Sequence, residues 1–367
     1  MSCYILHTGS FLPGAPVEND AIERFLGTLD GEADVKRQVL RMNGIERRHY
    51  AQNEQQVATH DVYQLATEAV QACYSNASEN NSAPFSPLTY LSAGTTYAPY
   101  SGPGLASIVH HQLHAVGIVE RPVEIASHSG ICTSAAAAMV SAIRAVASGE
   151  HAGALAIGTE HASEVLKSTA MCPVDDRDRH NDIRQSQWFM SVFLRFMLSD
   201  GAGACLLANS PNPNGLSFKV DWTHSMSYAH TAPLCMKLEN SNRLLSQDVN
   251  ILSRYLFSTG SEFLRSALAK HRESLDSYSV ILPHMSSYFF RRKFERIVQS
   301  ACEHPEKSVP YWTNLSTAGN TGAASIYIML DHYMQQHTLR DGSRLLLFVP
   351  ESGQFNYVLI SLTVVQQ

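Results

Sequence analysis

Helix-length stretches alternate with short apolar runs along the whole chain, and this alternation constrains the fold more than any other feature. Helical patterns occupy 61–74, 104–116 and 133–148, and short apolar runs occupy 88–93, 123–127 and 153–157. The same order then returns: 250–272, 288–302 and 323–336 read as helices, and 278–282, 344–349 and 357–365 as strands. Residues 1–7 read as an opening strand. Such alternation predicts α/β layers with a largely parallel sheet. At 367 residues, 44% hydrophobic and 16% charged, the chain can bury a large core and is not a disordered one. The Pro- and Asn-rich stretch 209–215 is the best junction between two halves, 1–210 and 211–367. It is too short for a flexible linker, so the halves are expected to pack tightly.

Three strand-to-helix junctions carry chemistry. The first is Val123-Glu-Ile-Ala-Ser-His-Ser-Gly-Ile-Cys-Thr-Ser-Ala-Ala-Ala-Ala-Met139, which places Cys132 where a buried strand ends and a small-residue helix begins. A thiol at a helix N-terminus feels unpaired N–H groups and the positive end of the dipole, so the thiolate is expected to be favoured. The second is Ser279-Val-Ile-Leu-Pro-His-Met-Ser-Ser287, with His284 directly after a strand and a proline. The third is Asn314-Leu-Ser-Thr-Ala-Gly-Asn-Thr-Gly-Ala-Ala-Ser325, where Asn320 presents an amide beside another small-residue helix. Singly, each has a plain structural reading: buried cysteine, surface histidine, helix cap. Together they make a nucleophile with two hydrogen-bond donors.

With these residues in this order, the chain resembles thiolase-fold condensing enzymes of the β-ketoacyl-acyl-carrier-protein synthase III type. That family has a Cys–His–Asn triad, and its Gly-Asn-Thr-x-Ala-Ala-Ser motif matches Gly319 to Ser325. Asp200-Gly-Ala-Gly-Ala204, Ser92-Ala-Gly-Thr-Thr-Tyr97 and Gly44-Ile-Glu-Arg-Arg-His49 resemble further family motifs. Ser352-Gly353-Gln354-Phe355 stands where the family has Gly-Gly-Gly-Phe. The resemblance implies a duplicated, layered α-β-α-β-α fold and a homodimer. It also implies catalytic Cys132, His284 and Asn320, with an oxyanion hole from the Cys132 and Gly353 backbone N–H groups. Substrates would arrive on the phosphopantetheine of an acyl carrier protein or coenzyme A, with no other cofactor and no metal. Glu160, in Gly158-Thr-Glu160, reads either as an additional base or as a structural carboxylate.

The N-terminal stretches Phe11-Leu-Pro-Gly-Ala-Pro-Val-Glu-Asn-Asp20, Leu26-Gly-Thr-Leu-Asp-Gly-Glu32 and Val39-Leu-Arg-Met-Asn-Gly-Ile45 are similar to a narrower subgroup, the ketosynthases that form dialkylresorcinol and cyclohexanedione precursors. These join two acyl-type substrates, one a β-ketoacyl thioester. The alternatives are an initiating synthase that uses acyl-coenzyme A and malonyl carrier, an acyltransferase to an alcohol or amine, and a non-catalytic scaffold.

An acidic carrier needs a basic patch on a chain whose net charge is -6. The candidates are Arg291, Arg292 and Lys293 after His284, and Arg41, Arg47 and Arg48 for phosphate or pantetheine. The negative charge argues against nonspecific nucleic-acid binding. No apolar run approaches membrane-spanning length, and the N-terminus lacks a basic region and a long apolar core, so a cytoplasmic protein is expected. The seven scattered cysteines form no C-x-x-C pair, and the cluster His110, His111 and His114 has no carboxylate or cysteine beside it, so neither suggests a metal site. The charge-dense stretch 175–184 reads as a solvated excursion or as a flap. Tyr97, Phe189, Phe193 and Phe196 are candidates to line a substrate tunnel.

Overall fold

The computed structural model describes residues 1–79, 87–171, 187–239 and 244–367. Its main sheet uses β1 (Tyr4–Phe11), β2 (Leu88–Thr95), β3 (Glu124–Ser129), β4 (Gly153–Glu160), β5 (Gly201–Ala208), β6 (Leu216–Ser227), β7 (Val280–Pro283), β8 (Arg344–Pro350) and β9 (Asn356–Gln366). Their spatial order is β7-β8-β9-β6-β1-β5-β4-β2-β3. The order contains one motif twice. From the outer edge inward, the first half runs β3-β2-β4-β5-β1, and the second runs from a parallel bridge at Tyr311 through β7-β8-β9-β6. In each half the third strand, the second and the fourth are parallel, and the fifth and first return antiparallel. The two halves join through β1 and β6. This is the duplicated thiolase-type α/β fold.

The sheet is therefore mixed, not largely parallel. The reason lies in the connections. Residues 351–355 between β8 and β9 are far too few for the helical crossover that a parallel neighbour requires, so β9 must turn back beside β8.

The helices that matter for the site are α1 (Glu32–Asn43), α2 (Val62–Glu79), α3 (Leu105–Ala115), α4 (Ser134–Ala147), α5 (Gln187–Arg195), α6 (Val249–His271), α7 (Arg291–Ala301) and α8 (Ser325–Gln336). Period-2 alternation along the strands separates them into layers. In β4, Leu155 and Ile157 pack with α2 and α3, while Ala154 and Ala156 face α4 and α8. In β8, Leu346 and Phe348 pack with α6 and α7, while Leu345 and Leu347 face α4 and α8. The helices α4 and α8 are thus the filling of the structure, and no helix among the described residues is long and apolar enough to cross a membrane.

Close packing of this middle layer positions the chemistry. Ala135, Ala136 and Ala138 of α4 are fully buried. A Cβ on Gly94 would lie 2.6 Å from the Ala135 Cα, and one on Gly203 would lie 2.5 Å from the Tyr327 Cβ. Only glycine lets the two helices approach the sheet this closely. Tyr327 on α8 donates its hydroxyl to the Ala135 carbonyl at 2.8 Å. The beginnings of α4 and α8, which carry the Cys132 and Asn320 turns, are locked side by side.

Candidate active site

Cys132 is half-buried in the turn between β3 and α4. The strand before it is not buried as expected: β3 is the edge of the sheet, and Ile125 is 41% exposed. The expected bias to thiolate is also overturned. Burial pushes the thiol above the ordinary cysteine range, and the carboxylates of Glu351 and Glu160 add to it, against the smaller opposing effect of the Cys132 backbone N–H. Desolvation, followed by the two acidic neighbours, outweighs the hydrogen bond from the Cys132 N–H.

His284 follows β7, with its backbone N–H donated to the Phe348 carbonyl at 2.8 Å. It is 5% exposed, and burial lowers its pKa from 6.5 to about 4, so the ring is neutral near pH 7. Its Nδ1 lies 2.7 Å from the Ser325 Oγ at the head of α8. If Ser325 donates that bond, the ring proton sits on Nε2.

Asn320 does not start a helix directly. It lies in the turn before a 3₁₀ segment, Gly322–Ala324, that leads into α8. Its backbone is held on both sides, by the Met197 carbonyl at 3.2 Å and the Ser199 N–H at 2.9 Å. Its Oδ1 accepts the Gly322 N–H at 3.1 Å, which identifies the oxygen and leaves the Nδ2 donors for the cavity.

Glu160 ends β4 and is fully enclosed. Burial raises its pKa to about 7, against the opposing hydrogen bonds from the Ala323 N–H at 2.9 Å and the Thr96 hydroxyl at 2.6 Å. Gly322 makes room for it: at φ +51, its Cβ would fall 2.3 Å from the Glu160 Oε2.

Two cavities meet at Cys132. The smaller has Thr96, Tyr97, Glu160 and Asn320 on its wall, together with apolar residues such as Leu194, Leu198 and Leu245. The larger is walled by His284 and by apolar residues of α6 and α7. Cys132, Met197, Gln247, Ser286 and Ser352 belong to both walls. Gly353 sits beside this junction, where its Cβ would be 2.9 Å from the Ile131 Cγ1. Its carbonyl accepts the N–H groups of Cys235 and Met236, at 2.9 and 3.1 Å.

Some candidates fall elsewhere. Arg48 is fully buried and cannot meet a carrier or phosphate. Its guanidinium donates to the Phe196 carbonyl and, at 2.6 Å, to the Asn19 Oδ1. Phe196 is a core residue rather than part of the tunnel wall, whereas Phe193 does line the larger cavity. Arg47 is exposed and paired with Glu18 at 2.9 Å. Arg41 is exposed in the last turn of α1, and Arg292 and Lys293 are exposed on α7 beside Arg291, which pairs with Glu295 at 2.9 Å. The chain segments next to these two groups touch, because a Cβ on Gly44 would meet the Tyr288 ring at 2.0 Å. Residues 175–184 and the side chain of Phe189 lie outside the described residues.

Glu351 was not a candidate from sequence. It is 4% exposed, and its Oε2 accepts the Thr133 N–H at 3.2 Å and the Thr133 hydroxyl. Its Oε1 accepts from the Asn356 amide at 2.8 Å. It ties the Cys132 turn to the 351–355 return that carries Gly353.

Residues 269–354, a span that includes His284, Asn320 and Gly353, match the family model described as 3-oxoacyl-[acyl-carrier-protein (ACP)] synthase III C terminal. The chain is 24% identical over 335 residues to β-ketoacyl-[acyl-carrier-protein] synthase III of Acholeplasma laidlawii, covering 90% of this chain and 89% of the relative. Identity to the Caulobacter vibrioides enzyme of that name is 24% over 360 residues, covering 95% of both. Among solved structures, AbyA1, a tetronic acid condensing enzyme, superposes with a TM-score of 0.77 at 18% identity, covering 98% of this chain and 99% of that one. OleA from Xanthomonas campestris gives 0.71 at 19% identity, covering 99% and 98%. The chain thus has the fold of the synthase III condensing enzymes over its whole length and carries their C-terminal family segment.

Proposed function

We propose that this protein is a ketosynthase that takes an acyl group from a carrier or coenzyme A thioester onto Cys132 and condenses it with a second thioester. The observation that carries this reading is the convergence at one sulfur: Cys132 is on the wall of both cavities, with His284 on one wall and Asn320 on the other. In the first half-reaction the Cys132 sulfur attacks the thioester carbonyl. The Cys132 proton goes to the departing thiolate, and an acyl-cysteine remains. The raised thiol pKa makes that proton transfer part of the step. The backbone N–H groups of Cys132 and Gly353 are assigned to the tetrahedral oxyanion.

In the second half-reaction the incoming thioester loses carbon dioxide or an α-proton and becomes an enolate. His284 Nε2–H and Asn320 Nδ2–H are assigned to its oxygen. Where an α-proton is lost, Glu160 takes it: a carboxyl near pKa 7 is matched to a base working near neutrality. The enolate carbon then bonds to the acyl carbon, the Cys132 sulfur leaves, and Glu160 returns the proton to it. A β-ketoacyl second substrate has an acidic α-carbon and needs no decarboxylation. We therefore favour a cyclohexanedione or dialkylresorcinol precursor as product over simple chain initiation, and the carboxylate beside the smaller cavity supports that preference.

The exposed Arg291, Arg292 and Lys293, next to the 57% exposed Phe289, suit an acidic carrier with an apolar contact at its centre. The edge position of β3 suits pairing with a second copy, which supports a homodimer. The test is product analysis after mixing acyl carrier and β-ketoacyl carrier with the protein. A product joining both carbon chains supports the reading. Release of free acid alone, with no new carbon–carbon bond, refutes it.

A further inference from the structure

Glu351 is a buried acidic residue that neither half-reaction uses, and it lies on the wall of neither cavity. The duplication of the fold accounts for its place. The strands β4 and β8 hold the same position in the two halves. Glu160 is the last residue of β4. Glu351 directly follows β8, and its N–H donates to the Asn356 carbonyl at 2.9 Å in continuation of the β8–β9 ladder. Each glutamate reaches across to the other half. Glu160 accepts the Ala323 N–H at 2.9 Å, in the turn that runs from Asn320 into α8. Glu351 accepts the N–H of Thr133, the residue after Cys132, at 3.2 Å, together with the Thr133 hydroxyl. Both satisfy a backbone donor that has no partner at the start of a central helix. Glu351 also meets the second oxyanion segment. Its Oε1 accepts from the Asn356 amide at 2.8 Å, and a Cβ on Gly353 would lie 2.8 Å from that same oxygen. One carboxyl group is therefore lodged between the peptide that follows Cys132 and the Cα of Gly353.

We infer that Glu351 is a positioning residue: by accepting from Thr133 on one side and packing against Gly353 on the other, it fixes the spacing of the Cys132 and Gly353 N–H groups that receive the oxyanion. The inference rests on the reading of Cys132 as the acylated residue and of these two N–H groups as its oxyanion hole. The charge of Glu351 works the other way. It raises the Cys132 thiol, and a carboxylate opposes any negative charge that develops nearby. Glu351 thus aids acyl transfer through geometry, and the two effects are separable. Alkylation by iodoacetamide forms no oxyanion and follows the thiolate population alone. Acylation by an ester needs the thiolate and the oxyanion hole together. The ratio of acylation rate to alkylation rate cancels the thiolate population and reads the oxyanion hole.

The experiment measures this ratio in the wild type, Glu351→Ala and Glu351→Gln at one pH. Acylation is read as the burst of nitrophenolate from p-nitrophenyl acetate that Cys132→Ala abolishes, a probe that needs neither carrier nor pantetheine. In Glu351→Ala the ratio should fall about tenfold or more. In Glu351→Gln the amide oxygen still accepts from Thr133 while Asn356 turns its own amide over, so the ratio should stay within about threefold of the wild type. An unchanged ratio in Glu351→Ala overturns the inference. So does an equal fall in both variants, which would assign the effect to charge. If Glu351→Ala does not fold, Thr133→Val, which loses only the hydroxyl donor, decides: a fall of about threefold or more upholds the inference, and an unchanged ratio overturns it. If carrier thioesters leave unloaded a wild type that the ester acylates, the ketosynthase reading fails and the ratio still decides the role of Glu351. A wild type that neither reagent acylates overturns both.

Discussion

Replacing His284 with asparagine should flatten the pH dependence of stability in a defined window. Burial lowers the folded pKa of His284 from 6.5 to about 4. Between those values the unfolded chain binds a proton that the folded protein refuses. Stability from this group is therefore fully present above pH 6.5 and falls as the pH drops towards 4. The displacement amounts to roughly 3 kcal/mol across the whole window, and roughly 2 kcal/mol between about pH 7.5 and about pH 5. His7, His49, His128 and His332 are displaced in the same direction by their own burial. They are common to both proteins and cancel in the difference. The assay is urea unfolding of wild type and His284→Asn at the two pH values. The wild type should lose roughly 2 kcal/mol more than the variant on acidification. Equal losses would mean that His284 titrates normally in the folded state, and the assignment of a neutral hydrogen-bond donor would lose its physical basis.

Three further outcomes are expected. Glu351→Gln removes a carboxylate that raises the Cys132 thiol, so alkylation of Cys132 by iodoacetamide near neutral pH should quicken; an unchanged rate would show that Glu351 does not act on the sulfur. Gly203→Ala places a Cβ 2.5 Å from the Tyr327 Cβ and should cost about 1–3 kcal/mol in urea unfolding; a neutral effect would contradict the close packing of α8. Charge reversal at Arg291 and Arg292 should weaken loading from an acyl carrier far more than loading from a pantetheine thioester, and equal losses would remove the docking role.

Much of the architecture was legible because the chain writes its layers locally. The strands and helices follow from hydrophobic periodicity, and Cys132, His284 and Asn320 each sit beside a junction that small residues or a proline mark. Strand direction was not legible, since it depends on how short each return is, and 351–355 looks like any other loop. Arg48 looked solvent-facing within a basic motif, yet its carbonyl acceptor, on Phe196, is 148 residues away. Glu351 was invisible for the same reason: Thr133 lies 218 residues from it, and no spacing in the sequence announces such a pair. The direction in which the Cys132 thiol is pushed was not legible, because the helix terminus is written locally, whereas burial and the two carboxylates reach the sulfur only through the fold.

The most direct measurement is the intact mass of the protein after incubation with an acyl carrier thioester, with peptide mapping of the adduct and then addition of a β-ketoacyl thioester. One acyl group should appear on Cys132, be absent in Cys132→Ala, and leave the protein as a carbon–carbon-bonded product when the second thioester is added. No adduct from any donor, or an adduct that survives mutation of Cys132, would contradict the account.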